Sequence, residues 1–549
     1  MKSKKALLPM LLLICTSMAC KKYVDVTNPD TFIDPYYWKD ENSVKAYSWE
    51  FYNLFTGYGN GSSASGDFYF PSLTDDQAAA TFTQYPQTTA STNGSWFFGY
   101  IRKANILLER VDLASMSDEA KNNWKGIAHF FRAYQYFQLV QTFGDVPWFS
   151  HSMDISDSAN IYKPRDPRAL VMDSVKADLD FAIANLRANA GDNTVNRDVA
   201  LALQSRVCLY EGTYRKYHIE LKLPNADDYL KASQDASSKL MASTYALSPD
   251  YQANYNSVNL GTNKEMILYK RYEPAYLTHS LIAYNYSSTA MNGLSKAAVE
   301  SYLCSDGLPI SSSPLYKGDN TIADLTTNRD RRLKVTIDTA ALCYTGNPLG
   351  SFSSSTGYRP TKFLPATIDL TQVQIGTNVT DAPLFWLSEI YLNYAEASAE
   401  LADDGKYNIV QSDIDNTINK LRARAKVAPL LLSNVPNDPK RDPSVSALLW
   451  EVRRERRVEL MMDGFRLQDL YRWKKGDYMD SNKNPDSFLG AHVPANGKVT
   501  LNADGYIMPY KATLQRVFVD PKNYLSAIPT SQILLYPAAI QASMQNPGW

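Results

Sequence analysis

The side chains that most often catalyse reactions or bind metals are widely scattered in this sequence. The five histidines are His129, His151, His218, His279 and His492, and no two of them show the HxxxH or similar spacing of a metal site. The GxSxG, HExxH and phosphate-loop motifs of common enzymes are missing from the sequence. The 57 acidic residues could still supply the two carboxyl groups of a glycosidase, which lie about 5–9.5 Å apart and are brought together only by the fold. The sequence therefore carries no catalytic motif.

Two short segments match ligand-binding motifs in part. Asp75 and Asp76 form an acidic pair that could bind calcium, although such pairs are far more often solvated. Residues 59–64, GNGSSA, fit the GxGxxA pattern of dinucleotide-binding loops, but no buried strand precedes them and no clear helical pattern follows. We therefore predict no cofactor, no nucleotide and no metal, with a structural calcium ion as an unsupported alternative.

Composition narrows the class of protein. The chain of 549 residues is 44% apolar, enough for a large core in two or more domains or in one repeat-built body. Its 56 basic and 57 acidic residues nearly cancel, so no nucleic-acid partner is indicated. The 37 tyrosines well exceed the 20 phenylalanines, and tyrosine favours wet binding surfaces as well as cores.

The N-terminus has the parts of a secretory signal peptide. Three lysines precede an apolar run at residues 7–14, which is too short to span a membrane, and small residues lead up to Cys20. A cysteine at this point is similar to the lipobox of bacterial lipoproteins. We predict a lipoprotein signal peptide at 1–19, lipidation of Cys20 and a tether at 20–35. The alternative is simple secretion with an incidental Cys20.

Three further cysteines follow in the mature chain. Cys208 lies in an apolar helical stretch and is predicted to be a small core residue. Cys304 and Cys343 could pair in an oxidising compartment, but the sequence leaves this pairing open.

Residues 128–149, AHFFRAYQYFQLVQTFGDVPWF, are the stretch around which we expect the chain to be organised. The predicted helix, Lys121–Val140, is apolar on nearly every side here, which indicates a buried helix. Arg132 is the exception and would need a partner inside the protein. Gly144 suits the left-handed residue that ends a helix, and Pro147 prevents a restart. We interpret this helix as an architectural spine.

Apolar periodicity and capping residues predict more helices on both sides of a loop-rich middle. The predicted helices are Tyr36–Phe55, Trp96–Val111 with Ser95 as N-cap, Pro167–Leu186, Arg197–Lys216, Ala232–Leu240, Pro383–Leu401, Ile414–Ala425 and Ser446–Arg472. Residues 250–380 are predicted to be loops with strand-like pieces at 266–269 and 335–337, and long loops usually carry function. Without a strict repeat, the pattern indicates a helical solenoid or bundle.

The helix predicted at 446–472 carries a high density of charge. Three glutamates alternate with four arginines, namely Glu451, Glu455 and Glu459 with Arg453, Arg454, Arg456 and Arg457. Charges at i,i+4 spacing can pair along one helix. We predict a partly solvated face with ion pairs, in preference to an anion-binding site.

Several blocks spread over nearly the whole mature chain carry a resemblance to a known family. They are FFRAYQYFQLVQTFGDVP (130–147), NGLSKAAVESYLCSDGLPI (292–310), NRDRRL (328–333), GYRPTKF (357–363), EVRRERRVELMMDGFRLQDLYRW (451–473) and YLSAIPTSQILLYPAAIQASMQNPGW (524–549). They closely resemble the SusD/RagB family of outer-membrane nutrient-binding lipoproteins, which work with a TonB-dependent porin. The resemblance implies a mostly α fold, in which a tetratricopeptide-like helical scaffold supports a loop-rich, irregular ligand-binding half.

This resemblance also implies a domain organisation and a function. We expect an N-terminal helical region at 36–250, a loop-rich ligand-binding region at 251–380 and a C-terminal helical region at 381–549. Family members bind and deliver substrates and are not known as catalysts, so no enzymatic activity is implied. The implied role is that of a lipid-anchored, surface-exposed outer-membrane protein that captures oligosaccharide for a SusC-like TonB-dependent transporter. A surface glycoside hydrolase and a peptide- or protein-binding helical-repeat receptor are the alternatives.

Sugar recognition needs aromatic faces for pyranose rings and planar polar side chains for hydroxyl groups. Candidates are therefore aromatic residues in or beside loops, together with polar neighbours. The candidates are Trp96, Asn93, Asp67 and Tyr69 in the early loops, and Tyr276, Tyr284, Tyr286, Tyr358 and Arg359 in the middle region. Each aromatic could instead be an ordinary core residue, and Trp96, one helical turn before Tyr100, more often is.

Overall fold

The structure is a computed structural model that describes residues 37–63, 73–154, 156–287, 291–347 and 352–549. The predicted signal peptide, Cys20, the tether, and the candidate ligand residues Asp67 and Tyr69 lie outside the described residues. Most of the regular structure is helical, which confirms the predicted mostly α fold.

The N-terminal part consists mainly of long helices. They are α1 (Glu41–Ser48), α2 (Gly99–Arg110), α3 (Asp118–Phe143), α4 (Ser158–Ile161), α5 (Arg168–Asn185), α6 (Arg197–Tyr217) and α7 (Ala226–Met241). Helix α3 packs against α2 and α5, and α6 packs against α5 and α7. Helices that follow one another in the chain are thus neighbours in space, as in a helical solenoid or bundle.

Helix α3 is the buried spine that the sequence predicts, and its aromatic side chains lie in the main core. Arg132, its internal charge, donates from Nε to Asp178 Oδ2 at 2.7 Å and from Nη2 to Asp178 Oδ1 at 2.6 Å. The helix ends at Gly144, whose φ of +72° favours glycine. A β carbon there would lie 2.8 Å from Leu525 Cδ1, so the C-terminal segment packs directly on the end of the spine.

The loop-rich region has short elements among its described residues. They are α8 (Ala253–Asn256), β2 (Met266–Lys270), α9 (Leu281–Asn285), β3 (Asn292–Leu294), α10 (Lys296–Glu300), α11 (Ile322–Thr326) and α12 (Arg331–Thr336). Strand β1 (Gln77–Ala79) pairs antiparallel with β3, and β2 pairs antiparallel with β4 (Ala382–Trp386). The strand predicted at 335–337 is wrong, because its first two residues complete α12.

The C-terminal part returns to helices. They are α13 (Leu387–Asp403), α14 (Gln411–Asp415), α15 (Ile418–Ala425), α16 (Ala447–Glu459), α17 (Arg466–Arg472), α18 (Thr530–Ile533) and α19 (Ala538–Gln541). Helix α13 packs against α6, α7 and α16, so helices from both ends of the chain form one scaffold. Short 3₁₀ turns lie at Trp49–Leu54, Val111–Leu113, Ile219–Leu221, Leu370–Gln372, Leu432–Asn434, Gly476–Met479, Pro485–Phe488, Lys522–Tyr524 and Ala542–Met544.

All three predicted C-terminal helices are wrong in extent. The helix predicted at 414–425 is two helices, α14 and α15, because the helix is interrupted between Asp415 and Ile418. Residues 383–386 belong to β4 and not to the helix that follows, because their backbone pairs with β2. The helix predicted at 446–472 is two helices, α16 and α17, since the chain turns between them through Gly464 with a φ of +81°.

The solvated face predicted for α16 is also wrong, because its glutamates are buried. Glu459 accepts a hydrogen bond from Arg332 Nη1 at 2.7 Å and pairs with Arg424, while Arg422 Nε donates to Glu455 at 3.0 Å. These five residues are called the buried ion-pair network below. Their arginines come from α12 and α15, so other elements neutralise α16. Such charges are tolerated inside a protein because each has its partner.

The described cysteines and helices decide two further points. Cys208, Cys304 and Cys343 are buried and free, so the pair that the sequence left open is not a disulfide, and Cys208 is the predicted core residue. Across the described ranges, no helix combines the length and the apolar composition needed to cross a membrane.

Candidate functional site

An aromatic cavity of about 630 Å³ lies beside the start of α2. Its walls are the residues that lead into α2, the first turns of that helix, the loop after α3 and residues 532–536. The aromatic residues that line this aromatic cavity are Trp96, Phe97, Phe98, Phe149, Tyr162 and Tyr536. The volume falls within the range of roughly 300–1,000 Å³ that is usual for small-molecule sites.

The backbone ahead of α2 positions these rings. The sequence predicts a helix from Trp96 with Ser95 as its N-cap, but α2 begins at Gly99. The reason is a double turn: the amide of Trp96 donates to the carbonyl of Asn93 at 3.2 Å, and the amide of Ser95 donates to Asn93 Oδ1 at 2.9 Å. A β carbon at position 99 would lie 2.1 Å from the ring of Phe97, so glycine at this position leaves room for that ring.

Trp96 and Phe97 have different roles in the cavity wall. Trp96 is only 8% exposed and meets Phe143 edge-on at 5.0 Å and Phe98 at 5.3 Å. Phe97 keeps 51% of its surface exposed. Trp96 is therefore part of the rigid base, as its core interpretation predicts, and Phe97 is the ring that is open to a ligand.

Polar groups accompany the aromatic rings. Asn105 is buried, and its Nδ2 donates to the carbonyl oxygens of Phe149 and His151, both at 2.9 Å, which fixes the loop wall. Arg102 and His151 are exposed at the rim. Burial raises the pKa of Tyr536 to about 12, so its hydroxyl stays neutral at physiological pH.

Tyr286 and Arg359 come together in the loop-rich region, next to Phe352. The Arg359 guanidinium lies 3.8 Å from the ring centroid of Phe352 and 5.8 Å from that of Tyr286, and the two rings are 4.8 Å apart. Arg359 is buried, and it donates to Asp338 Oδ2 at 2.7 Å and to the carbonyl of Asn285 at 2.9 and 3.0 Å. The half-buried rings are thus the surfaces of this group that are left for a ligand.

The other candidates lie outside these two groups. Tyr276 is 87% exposed at a tight turn, Tyr284 is half-buried against the core of the loop-rich region, and Tyr358 is buried within that core. The structure therefore places Trp96 close to Asn93, and Tyr286 close to Arg359, but it does not bring all described candidates into one site. Their role in ligand binding stays a prediction.

Five aromatic residues of the cavity were not among the candidates, namely Phe97, Phe98, Phe149, Tyr162 and Tyr536. Phe97 and Phe149 had a usable signal, because Phe97 lies two residues after the predicted N-cap Ser95, beside a loop, and Phe149 follows the predicted helix end at Gly144 and Pro147. Tyr162 and Tyr536 come from segments far apart in the chain, and their rings meet at 5.5 Å. No spacing in the sequence indicates that contact.

The acidic pair considered for calcium is buried and engaged by arginines. Arg466 Nε and Nη2 donate to the two carboxylate oxygens of Asp75, both at 2.8 Å, and Arg457 Nε donates to Asp76 Oδ1 at 2.8 Å. Burial raises the pKa of Asp76, whereas for Asp75 burial is outweighed by Arg457 and Arg466, which lower its pKa. In the described part of the chain, no group of three or more His, Cys, Asp or Glu side chains could hold a metal ion.

The fold and this cavity define a mostly helical protein with a candidate binding site of aromatic and polar side chains. The chain belongs to the SusD family: the family model described as "SusD family" matches residues 242–549, more than half of the chain. A second model, "Starch-binding associating with outer membrane", matches residues 30–209. A SusD-like protein of Formosa agariphila is 29% identical over 118 residues, which are 22% of this chain and 23% of that protein. The chain thus matches about a quarter of the length of this curated relative.

Several solved structures share the fold. A SusD-like carbohydrate-binding protein from Bacteroides fragilis has a TM-score of 0.71 at 22% identity, covering 91% of this chain and 99% of its own. Surface glycan-binding protein A from Bacteroides fluxus has a TM-score of 0.60 at 17% identity, covering 93% and 100%. A laminarin-binding SusD-like protein has a TM-score of 0.58 at 19% identity, also covering 93% and 100%. At these identities, the similarity concerns the fold.

Proposed function

We propose that this protein is a cell-surface receptor that captures oligosaccharide and delivers it to a SusC-like TonB-dependent transporter. Membership of the SusD family supports the uptake role, and the second family description supports association with the outer membrane. The observation that carries the ligand class is the aromatic cavity, in which exposed and buried rings are accompanied by polar groups. Similar folds described as carbohydrate-, laminarin- and glycan-binding support the same class.

Stacking and hydrogen bonding would have separate roles in this cavity. Phe97 offers the exposed ring on which the C–H groups of a sugar can pack. Arg102, His151 and Gln532 lie at the walls, where their polar groups can reach sugar hydroxyls. Trp96 beneath them is fixed by edge-on contacts of 5.0 and 5.3 Å, and a preformed site binds with a smaller loss of conformational entropy.

Binding without hydrolysis fits the composition of the cavity. Glycosidases use two carboxyl groups about 5–9.5 Å apart on either side of the scissile bond. The described residues that line the aromatic cavity include no aspartate or glutamate. The proposed receptor therefore recognises its ligand and releases it intact.

The proposed location is the outer face of the outer membrane, with a lipid anchor on Cys20. The basic, apolar and small residues before Cys20 support this proposal. Two or three lipid chains together hold a protein firmly, whereas one chain binds reversibly. An anchored receptor would keep its cavity next to the transporter that takes up the ligand.

The test is a calorimetric titration of the protein from Lys21 onwards with plant, fungal and host oligosaccharides. We expect saturable binding of one glycan without cleavage products. Phe97→Ala should weaken that binding by about 1–2 kcal/mol, or about five- to thirty-fold, because a stacking ring is lost. Trp49→Ala is the matched control, since Trp49 is 48% exposed but lies outside the cavity.

Three results would count against the proposal. Full affinity in Phe97→Ala would remove the aromatic cavity as the site. Cleavage products would overturn binding without hydrolysis. Binding of peptides from a parallel panel, with no response to any saccharide, would replace the ligand class.

A further inference from the structure

A groove that is separate from the aromatic cavity runs between helices of the scaffold. Two adjoining cavities of about 210 and 280 Å³ share the same central residues. The shared residues are Tyr134, Arg206, Asp463, Gly464 and Phe465. The groove is bounded by α3, by α6, and by the turn between α16 and α17 together with α17 itself, and we call it the interhelical groove. It has no lining residue in common with the aromatic cavity.

The charged side chains around the interhelical groove are already paired. The pairs are Arg206–Glu389, Asp463–Lys362, Arg456–Asp469 and Arg472–Glu396, with N–O distances of 2.6, 2.7, 2.8 and 2.6 Å. A charged ligand would have to compete with these buried pairs, and breaking one is costly. The groove therefore favours a ligand without charge.

Neutral polar side chains, in contrast, lack partners here. Tyr134, Gln138 and Gln141 lie on one face of α3 at i, i+4 and i+7, and Gln468 of α17 also lines the groove. None of these four side chains has a hydrogen-bond partner among the described residues, and Gln468 Oε1 is buried. Trp386, which lines the second cavity and is 3% exposed, also has a buried Nε1 without a partner in the described structure.

Unpaired buried polar atoms are costly, and native proteins keep few of them, so Gln468 Oε1 and Trp386 Nε1 call for a partner, while the half-buried Tyr134, Gln138 and Gln141 are open to a ligand. Aromatic surface lies beside them: the half-buried ring of Phe465 meets Trp386 at 5.9 Å and lies 5.1 Å from the Arg206 guanidinium. Amides, a hydroxyl and an indole N–H next to an aromatic ring can hydrogen-bond the hydroxyl groups of a sugar and cover its apolar face.

We propose that the interhelical groove is a second saccharide site, for a neutral mono- or disaccharide. Gln138, Gln141 and Gln468 bind its hydroxyl groups at one end, and Tyr134 and Phe465 lie at the centre. This site adds to the proposed receptor function, because a sugar could be held on the scaffold independently of the aromatic cavity.

The test is saturation-transfer NMR with glucose, galactose, xylose, maltose and cellobiose in four forms of the full mature chain. These are the wild type, Phe97→Ala, Gln468→Leu and the double variant. We expect one of these sugars to keep its signal in Phe97→Ala and to lose about tenfold in affinity at the groove in the double variant. Gln138→Leu in place of Gln468→Leu should give the same loss. Glucuronic acid should not bind the groove.

The outcomes separate the two proposals. If Phe97→Ala alone removes every saccharide signal, the groove proposal is overturned and the aromatic cavity stands. If the double variant binds as well as Phe97→Ala, the groove proposal is also overturned. Melting temperatures of all variants check the fold, and Leu in place of an unpaired amide should leave them unchanged.

Discussion

The helical scaffold and the loop-rich region satisfy their backbone hydrogen bonds in different ways. In the scaffold, long helices such as α3 and α6, with 26 and 21 residues, pair their own amides and carbonyls, and apolar side chains fill the space between helices. In the loop-rich region, the described helices have between four and six residues. Helices this short leave most of their backbone groups unpaired.

Buried polar side chains take over this role in the loop-rich region. The carboxylate of Asp381 accepts the amides of Leu260 and Tyr272, both at 3.0 Å. The side-chain oxygen of Asn378 accepts the amide of Ile282 at 2.8 Å. In the scaffold, stability is thus spread over many apolar contacts, whereas in the loop-rich region single side chains each connect distant segments. The buried ion-pair network joins the two regions, since Arg332 belongs to α12 and Glu459 to α16.

The largest loss of stability is expected from breaking the buried ion-pair network that joins the two regions. In Glu459→Gln, Arg332 and Arg424 lose a charged partner inside the protein, and removing one member of a buried ion pair costs about 3–5 kcal/mol of unfolding free energy. Urea denaturation followed by circular dichroism measures this loss. The control is Glu119→Gln, whose ion pair with Arg187 is exposed and should leave stability unchanged. Equal stability of the two variants would show that the junction does not hold the regions together.

The next effect is a loss of stability in mild acid, to which both regions contribute. Burial lowers the pKa of His279, in the loop-rich region, to about 3 and that of His218, in the scaffold, to about 4, from an ordinary value of 6.5. As the pH falls below 6.5, the unfolded chain takes up protons that the folded chain does not, so stability present above pH 6.5 is lost. Each histidine should lower the free energy of unfolding by about 1.4 kcal/mol for each pH unit below 6.5.

Urea denaturation between pH 7.5 and 5.5 measures this slope. His279 Nδ1 accepts the amide of Leu281 at 3.1 Å, which requires the neutral ring. His279→Gln and His218→Gln should each reduce the loss of stability between these two pH values. An unchanged slope in both variants would contradict the assignment.

Asp381→Ala should cause a smaller loss of stability that is confined to the loop-rich region. The amides of Leu260 and Tyr272 lose their acceptor, at a cost of about 1–3 kcal/mol. Native-state hydrogen exchange should become faster in residues 257–272 and stay unchanged in α3, because the region opens separately from the scaffold. Asp369→Ala, at an exposed turn of the same region, is the control. Faster exchange in α3 as well would show that the two regions unfold as one unit.

The contrast between the helical scaffold and the loop-rich region also explains what the sequence could predict. The helix predicted at Arg197–Lys216 is α6 to within one residue, because an apolar periodic pattern alone determines it. The strand expected at 335–337 is wrong, because its first two residues complete a short helix that Asp330 caps. The solvated face of α16 is wrong, because arginines from other segments supply the partners of its charges. At the aromatic cavity, a loop aromatic such as Trp96 could be selected from local sequence. Tyr536 could not, because only the fold brings it there.

The end of the central helix depends on residues that lie far along the chain. The amide of Ser526 donates to the carbonyl of Thr142 at 2.7 Å, and Asn546 Nδ2 donates to the carbonyl of Phe143 at 3.0 Å. These carbonyls belong to the last turn of α3, which a helix cannot pair by itself. The last turn of this helix is therefore completed only when a segment far away in the sequence has packed against it. A proteolytic nick that releases residues 526–546 would leave these carbonyls unpaired and the last turn of the central helix prone to fraying.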